Sequence, residues 1–252
     1  MSLSRYSTFA RRVSRLSAVI AIAGAAALSS PQMAEAQSIP RRWQANYQPP
    51  SGIGAPRRTE GGASRGTEDE IALTALVPRS NDFGVTTVSH PTIFAYMPAS
   101  SGPEAASIVE FELIDAQGRS VYFTELEPVE TAGILGLRLP STTPGLAMNQ
   151  GYRWVITVYD RFDEPIGQVN GLIQRVPLPA ALAAATSASA YDQALLYAEA
   201  GLWYDALAAM ATAYRSNPTA AVRESWTRLL DSAELKELTQ AAVLNDRIIA
   251  QP

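Results

Sequence analysis

The hydrophobic period of this chain changes at one place, the triplet Pro177-Leu178-Pro179. Upstream, from Ile71 to Val176, short runs of β-branched and aromatic residues are separated by turn signals at intervals of roughly ten residues. Downstream, alanine takes over and apolar residues recur at helical spacing. Side chains share a face every second residue in a strand and about every 3.6 residues in a helix, so neither half can adopt the other's structure. The chain is therefore constrained to a β-rich part followed by an α-rich part.

Eight upstream segments read as strands: "IALTALVP", "FGVTTV", "PTIFAYMP", "ASIVEFELIDA", "GRSVYFTEL", "GILGLRLP", "GYRWVITVYD" and "PIGQVNGLIQRV". Alternation assigns faces. Val109, Phe111 and Leu113 point one way and Glu110 and Glu112 the other. Tyr152, Trp154, Ile156 and Val158 share a face that reads as core, with Trp154 as the core indole. Asp115-Ala116-Gln117-Gly118 is the strongest hairpin turn, and "YDRFDEP" a longer one. With no helical stretch between these strands, residues 71–176 are expected to form an antiparallel immunoglobulin-like β-sandwich.

In the α-rich part, expected to form a helical domain over 187–249, Ser189 can cap a helix whose third position is Asp192, and Gly201 can end it. A second helix is expected from Trp203 to Arg215, stopped by Ser216-Asn217-Pro218. Further amphipathic stretches at Ala220 to Leu230 and Ala233 to Ile249 are expected to be helical too. The fold class is α+β.

The first residues carry Arg5, Arg11, Arg12 and Arg15 ahead of an apolar run from Leu16 to Leu28, then Ala34-Glu35-Ala36. That pattern is a secretory signal over 1–36, with cleavage expected between Ala36 and Gln37. The apolar run is short of the ~20 residues a spanning helix needs, so no stable membrane span is expected after cleavage. Arg11-Arg12 invites a twin-arginine reading, but Val13, Ser14 and Arg15 fit it poorly and the general secretory route is preferred. The product is expected in the periplasm or outside the cell. The chain has no cysteine, which excludes disulfides, thiol nucleophiles and thiolate metal sites.

Residues 37–70 read as a flexible Arg/Gly/Pro-rich arm, since Gln37 to Gly66 has few large apolar residues to offset its ordering entropy. Within it, "APRRTEGGASRG" has no preceding strand and no lysine and is followed by "TEDE", which excludes a phosphate loop. Charge is unevenly divided. Residues 37–66 hold Arg41, Arg42, Arg57, Arg58 and Arg65 against Glu60, a net of +4, whereas residues 67–252 hold 11 basic and 22 acidic residues, a net of −11. The acidic body argues against nucleic acid as a partner. Arg57, Arg58 and Arg65, spaced by glycine, suit bidentate contacts to carboxylates or phosphates, either on the body itself or on an anionic envelope polymer.

Candidate reactive groups are few. His90 is the sole histidine, and no Gly-x-Ser-x-Gly elbow accompanies it. Carboxylates cluster at Glu68-Asp69-Glu70, at Glu125, Glu127 and Glu130, and at Asp160, Asp163 and Glu164. Such groups can hydrolyse a glycosidic bond or hold calcium, but the ordinary reading is solvated turns. Tyr152, Trp154 and Tyr159 can stack on sugars if exposed, while Tyr197, Trp203, Tyr204 and Tyr214 read as a seam between helices and sheet. No cofactor and no metal site is expected.

Two resemblances add to this. "YAEAGLWYDALAAMATAYRSNP" looks like one tetratricopeptide unit, with Gly201 at the inter-helix turn, Ala206 and Ala213 at close helix contacts and Pro218 at the exit. Alone it implies a docked helical hairpin rather than a binding array. In addition, "APRRTEGGASRG", "LTALVP", "HPTIFAYMP", "YRWVITV", "GLIQRV" and "LLYAEAGLWYDAL" occur in an order that resembles a family of secreted, mainly cyanobacterial proteins, domain of unknown function 928. The resemblance covers roughly Ala55 to Leu230 and implies export without implying an activity. The expectation is a non-enzymatic envelope protein, an adaptor or ligand-binding module whose partner is a protein or an anionic envelope polymer. The alternative is a carboxylate-dependent hydrolase of envelope polysaccharide or peptide.

Overall fold

The computed structural model describes residues 72–100 and 106–249. The segment 1–36 expected to be an export signal, its expected cleavage point at Ala36 and Gln37, and the expected arm with Arg57, Arg58 and Arg65 lie outside the described residues, as do Glu68, Asp69 and Glu70.

Among the described residues, nine strands and three α-helices follow in order. The strands are β1 (Thr74–Ala75), β2 (Phe83–Thr86), β3 (Thr92–Met97), β4 (Ala106–Asp115), β5 (Ser120–Leu126), β6 (Gly133–Arg138), β7 (Gly151–Asp160), β8 (Pro165–Arg175) and β9 (Arg247–Ile248). The helices are α1 (Ala190–Glu199), α2 (Trp203–Ser216) and α3 (Ala220–Ser232), preceded by a 3-10 stretch at Ala180–Ser187. Each of the eight segments read as strands from sequence contains a strand. They form a four-stranded sheet in the order β1-β3-β6-β9 and a five-stranded sheet in the order β2-β8-β7-β4-β5.

Alternation assigned the faces correctly. Val109, Phe111, Leu113, Tyr152, Trp154, Ile156 and Val158 are buried, and β4 alternates buried with half-buried residues along most of its length. The hairpin at Asp115 closes with Gly118 at φ 79°, where an L side chain would be strained. The Asp115 carboxylate fastens this turn by accepting from the backbone N–H of Gln117 and of Arg119, both at 2.9 Å, and from Arg119 Nε at 2.8 Å. Those hydrogen bonds, that of the Arg119 amide foremost, hold its pKa below the ordinary carboxylate value.

Two pairings depart from the all-antiparallel expectation. β2 runs parallel to β8 and β9 parallel to β6. The second also corrects the reading of Ala233 to Ile249 as a helix. After α3 the backbone turns through Glu234 at φ 61°, makes one 3-10 turn at Lys236–Leu238, and then runs extended. What the amphipathic pattern hid is an unpaired strand edge on β6, more than 100 residues upstream in sequence. The strap satisfies it: Ile134 N–H donates to Ala242 O at 2.7 Å, Leu244 N–H to Ile134 O at 2.8 Å, and Ile249 N–H to Arg138 O at 3.0 Å. A Cβ at Gly133 would lie 2.6 Å from Ala242 O, so glycine there permits the approach.

Ser189 caps α1 as expected, accepting from Asp192 N–H at 3.1 Å, and Gly201 follows that helix at φ 74°. Helices and sheets share one apolar core, in which Trp154, Phe94, Phe111, Tyr204 and Trp226 are almost fully buried. None of the described helices is long and apolar enough to cross a membrane.

Candidate functional site

The first turn of α2, Trp203-Tyr204-Asp205, fastens the helices to the sheets. Trp203 Nε1 donates to Leu76 O at 3.0 Å, and Tyr204 Oη donates to Leu172 O at 3.0 Å while accepting from Trp154 Nε1 at 2.7 Å. Both rings lie against Gly84 of β2, where a Cβ would sit 2.7 Å from the Tyr204 ring and 3.0 Å from Trp203. A side chain there would push α2 away.

Beside this junction lies a cleft of about 350 Å³. One wall is the segment from Thr86 to Thr92 with Arg138 of β6; the other is Ala190, Gln193 and Tyr197 of α1 with Ala208, Ala209 and Thr212 of α2. Asp205 lines it and is 7% exposed. Its carboxylate accepts from Thr86 Oγ1 at 3.1 Å and from Thr87 N–H at 2.7 Å. Burial pushes its pKa up to about 6, against the opposing effect of those hydrogen bonds. The Thr87 side chain hydrogen-bonds the same carboxylate, and three donors still leave part of a carboxylate's acceptor capacity for a group in the cleft. The Tyr197 phenol is also pushed up, first by its own burial and then by the Asp205 charge.

The positive counterpart is Arg138. Its Nε donates to Thr92 Oγ1 at 3.3 Å and its guanidinium lies 3.6 Å from Asp246. Asp246 is itself held in two parallel hydrogen bonds by Arg215 of α2, at 2.9 and 3.0 Å. The C-terminal strap thus sets one rim of the cleft through Arg138, although sequence reading gave that segment no part in a site.

His90 lines the cleft but is committed to the backbone fold. Its Nε2 lies 2.9 Å from the Thr143 carbonyl, an acceptor only, so Nε2 carries the proton; Nδ1 lies 3.0 Å from Ser89 Oγ, which donates to it when the ring is neutral. Both ring nitrogens are used in tying the Ser89-His90 bend to the following loop.

The other sequence candidates are dispersed. Asp160 Oδ1 accepts from Phe162 N–H at 2.8 Å and Glu164 N–H at 3.0 Å, so this carboxylate is the organising group of a turn, with Asp163 at φ 61°. Glu125 lies on the outer face of β5, and Glu127 and Glu130 on the connection to β6. Tyr152 and Trp154 are core, and Tyr152 Oη accepts from Ala147 N–H at 3.1 Å. Tyr159 is half-buried on the outer face and hydrogen-bonded to Glu110, which is the chief cause raising its pKa. Tyr214 packs on Trp226 with centroids 5.4 Å apart. Asp205 was not singled out by sequence, because an acid at the third position of a helix has an ordinary reading as a dipole partner. The one available signal was its place between two aromatics and a run of alanines.

No match to a curated protein was found for the chain. The family whose profile matches residues 60–243 is described as Domain of Unknown Function (DUF928). That span covers most of the chain, including strands β1 to β8, the three described helices and the residues lining the cleft, and the chain belongs to this family.

Proposed function

We propose that this chain is an exported, non-catalytic envelope protein, an adaptor or ligand-binding module that receives its partner in the cleft beside Asp205. The β-rich part is read as an immunoglobulin-like sandwich. In support, one sheet follows the order of sandwich strands A, B and E, and the other that of G, F, C and C′, with the first strand divided between the two sheets. The pair α1 and α2 is read as a tetratricopeptide-like hairpin docked on that sandwich, with Ala206 and Ala213 buried at the close contacts.

The single observation that carries the binding reading is the cleft itself. It combines apolar walls from alanines and tyrosine with a few convergent polar groups, Asp205, Arg138, Thr92 and Gln193, at a volume in the range of ligand sites. Its histidine has both nitrogens bound within the fold, which favours binding over acid–base chemistry. The partner class that fits is an envelope protein segment or small ligand presenting a hydrogen-bond donor to Asp205.

The test is affinity capture from the native cell envelope with the tagged protein and with Ala208→Trp, whose ring would fill the cleft from α2. The reading expects a partner or ligand recovered with the wild type and lost with the variant, at unchanged circular dichroism. Equal recovery by both would place binding elsewhere.

A further inference from the structure

We propose that the outer face of the five-stranded sheet, across β5, β4 and β7, is the docking surface for the chain's own segment from Arg57 to Arg65. The register places Glu110 directly opposite Glu125, with Glu112 two residues along the same face and opposite Phe123. Like charges facing each other across strands destabilise a sheet, so this arrangement carries a cost that a cation laid over it offsets. Arg153 of β7 is the single basic residue these strands place on that face, against three carboxylates. Beside the acids are apolar side chains, Val121 at 42% and Phe123 at 41% exposure and the half-buried Val155. A surface alternating carboxylate with apolar side chains suits arginine, whose guanidinium pairs with the acid while its stem covers the neighbour.

Charge balance and reach point to this chain's own segment. Residues 37–66 carry +4 against −11 on residues 67–252. The described chain begins at the right edge: Leu73 lies beside Gly167 of β8, at a distance of 3.4 Å from where a Cβ would stand. Among the described residues β2 pairs with β8 only over Leu172 to Arg175, which leaves the earlier half of β8 as an edge the chain can round. Glu110 lies two strands from β8, about 10 Å at ~4.8 Å per strand. Arg65 precedes Leu73 by eight residues, a reach of about 26 Å at ~3.3 Å per residue, and Arg57 and Arg58 reach further. A tether of that length holds the arginines near the face at an effective concentration in the millimolar range.

The experiment is limited trypsin digestion of the full exported protein, following cleavage after Arg57, Arg58 and Arg65 beside a free peptide of residues 52–70. The wild type is expected to be cut at least tenfold more slowly than the peptide, and 0.5 M salt is expected to remove most of that protection. The triple variant Glu110→Gln, Glu112→Gln, Glu125→Gln is expected to be cut at nearly the peptide rate while keeping the wild-type circular dichroism and urea midpoint. Because the chain lacks cysteine, a spin label on Ser64→Cys gives a second reading: it should broaden the amides of Glu112 and Val155. Wild-type cleavage as fast as the peptide, equal protection in the triple variant, or protection only after dextran sulfate is added would each overturn the proposal, the last by assigning the arginines to an anionic polymer. All these outcomes are independent of whether Ala208→Trp blocks the cleft.

Discussion

Trp154 Nε1 donates to Tyr204 Oη at 2.7 Å, so the core indole of β7 and the first turn of α2 hold one another in place. Tyr204→Phe leaves that buried indole N–H without its acceptor and Leu172 O without its donor. An unsatisfied buried donor costs about 1–3 kcal/mol, and the urea midpoint should fall accordingly. Trp226 is the control. It is fully buried, but its Nε1 has no hydrogen-bond partner, so Trp226→Phe should cost only the lost packing. A Tyr204→Phe variant as stable as the wild type would mean that the junction is not held by this bond.

Gly171 of β8 lies under the same indole, and a Cβ there would stand 2.5 Å from the Trp154 ring. Neither the ring nor the strand has room to give, because Trp154 is fully buried. Gly171→Ala is expected to lose about 1–3 kcal/mol, the usual cost of overpacking a core. Thermal unfolding checks it, and an unchanged midpoint would refute the packing assigned to this ring.

Asp205 and Asp115 divide the acid side of the stability profile between them. Asp205 has its folded pKa raised from 3.8 to about 6, so its contribution is fully present below pH 3.8 and is lost as pH rises through about 6. The loss is on the order of 3 kcal/mol, at 1.36 kcal/mol per pKa unit. Asp115 has its folded pKa lowered, so its contribution is present above pH 3.8 and is lost as pH falls further. Asp205→Asn should therefore flatten the profile between pH 4 and 7 and leave the fall below pH 4 in place. Urea unfolding at pH 4.5 and 7.5 decides; a variant with the wild-type slope would show that Asp205 is not the group responsible.

The C-terminal strap should loosen locally when its clamp is removed. Asp246 and Arg215 are 16% and 19% exposed at the side chain, and Arg138 completes the group. Asp246→Asn leaves two guanidinium groups without their carboxylate, a loss of about 2–3 kcal/mol for a largely buried pair. Hydrogen exchange of the Leu244 and Ile249 amides should accelerate more than that of the Phe111 amide. Uniform acceleration would indicate global destabilisation rather than a released strap.

The parts of the fold legible in sequence were those set by local period. Val109, Phe111 and Leu113 announced β4 by alternation, and Ser189 with Asp192 announced the start of α1 by its cap. What was not legible depended on partners far away in the chain. The strap from Ala233 to Ile249 has an amphipathic pattern that fits a helix, and only the bare edge of β6 makes it extended. The parallel pairing of Phe83 with Leu172 likewise leaves no local trace. The same holds for the cleft: Asp205 reads as a helix-start acid until Thr86 and Thr87 are brought beside it.

The central claim is that the cleft binds and does not transform. Isothermal titration of the purified protein with each component recovered from the envelope, followed by analysis of the mixture for products, tests it most directly. The account predicts saturable binding that Ala208→Trp abolishes, with every component recovered chemically unchanged. Turnover of any component, lost when a single carboxylate is neutralised, would contradict it.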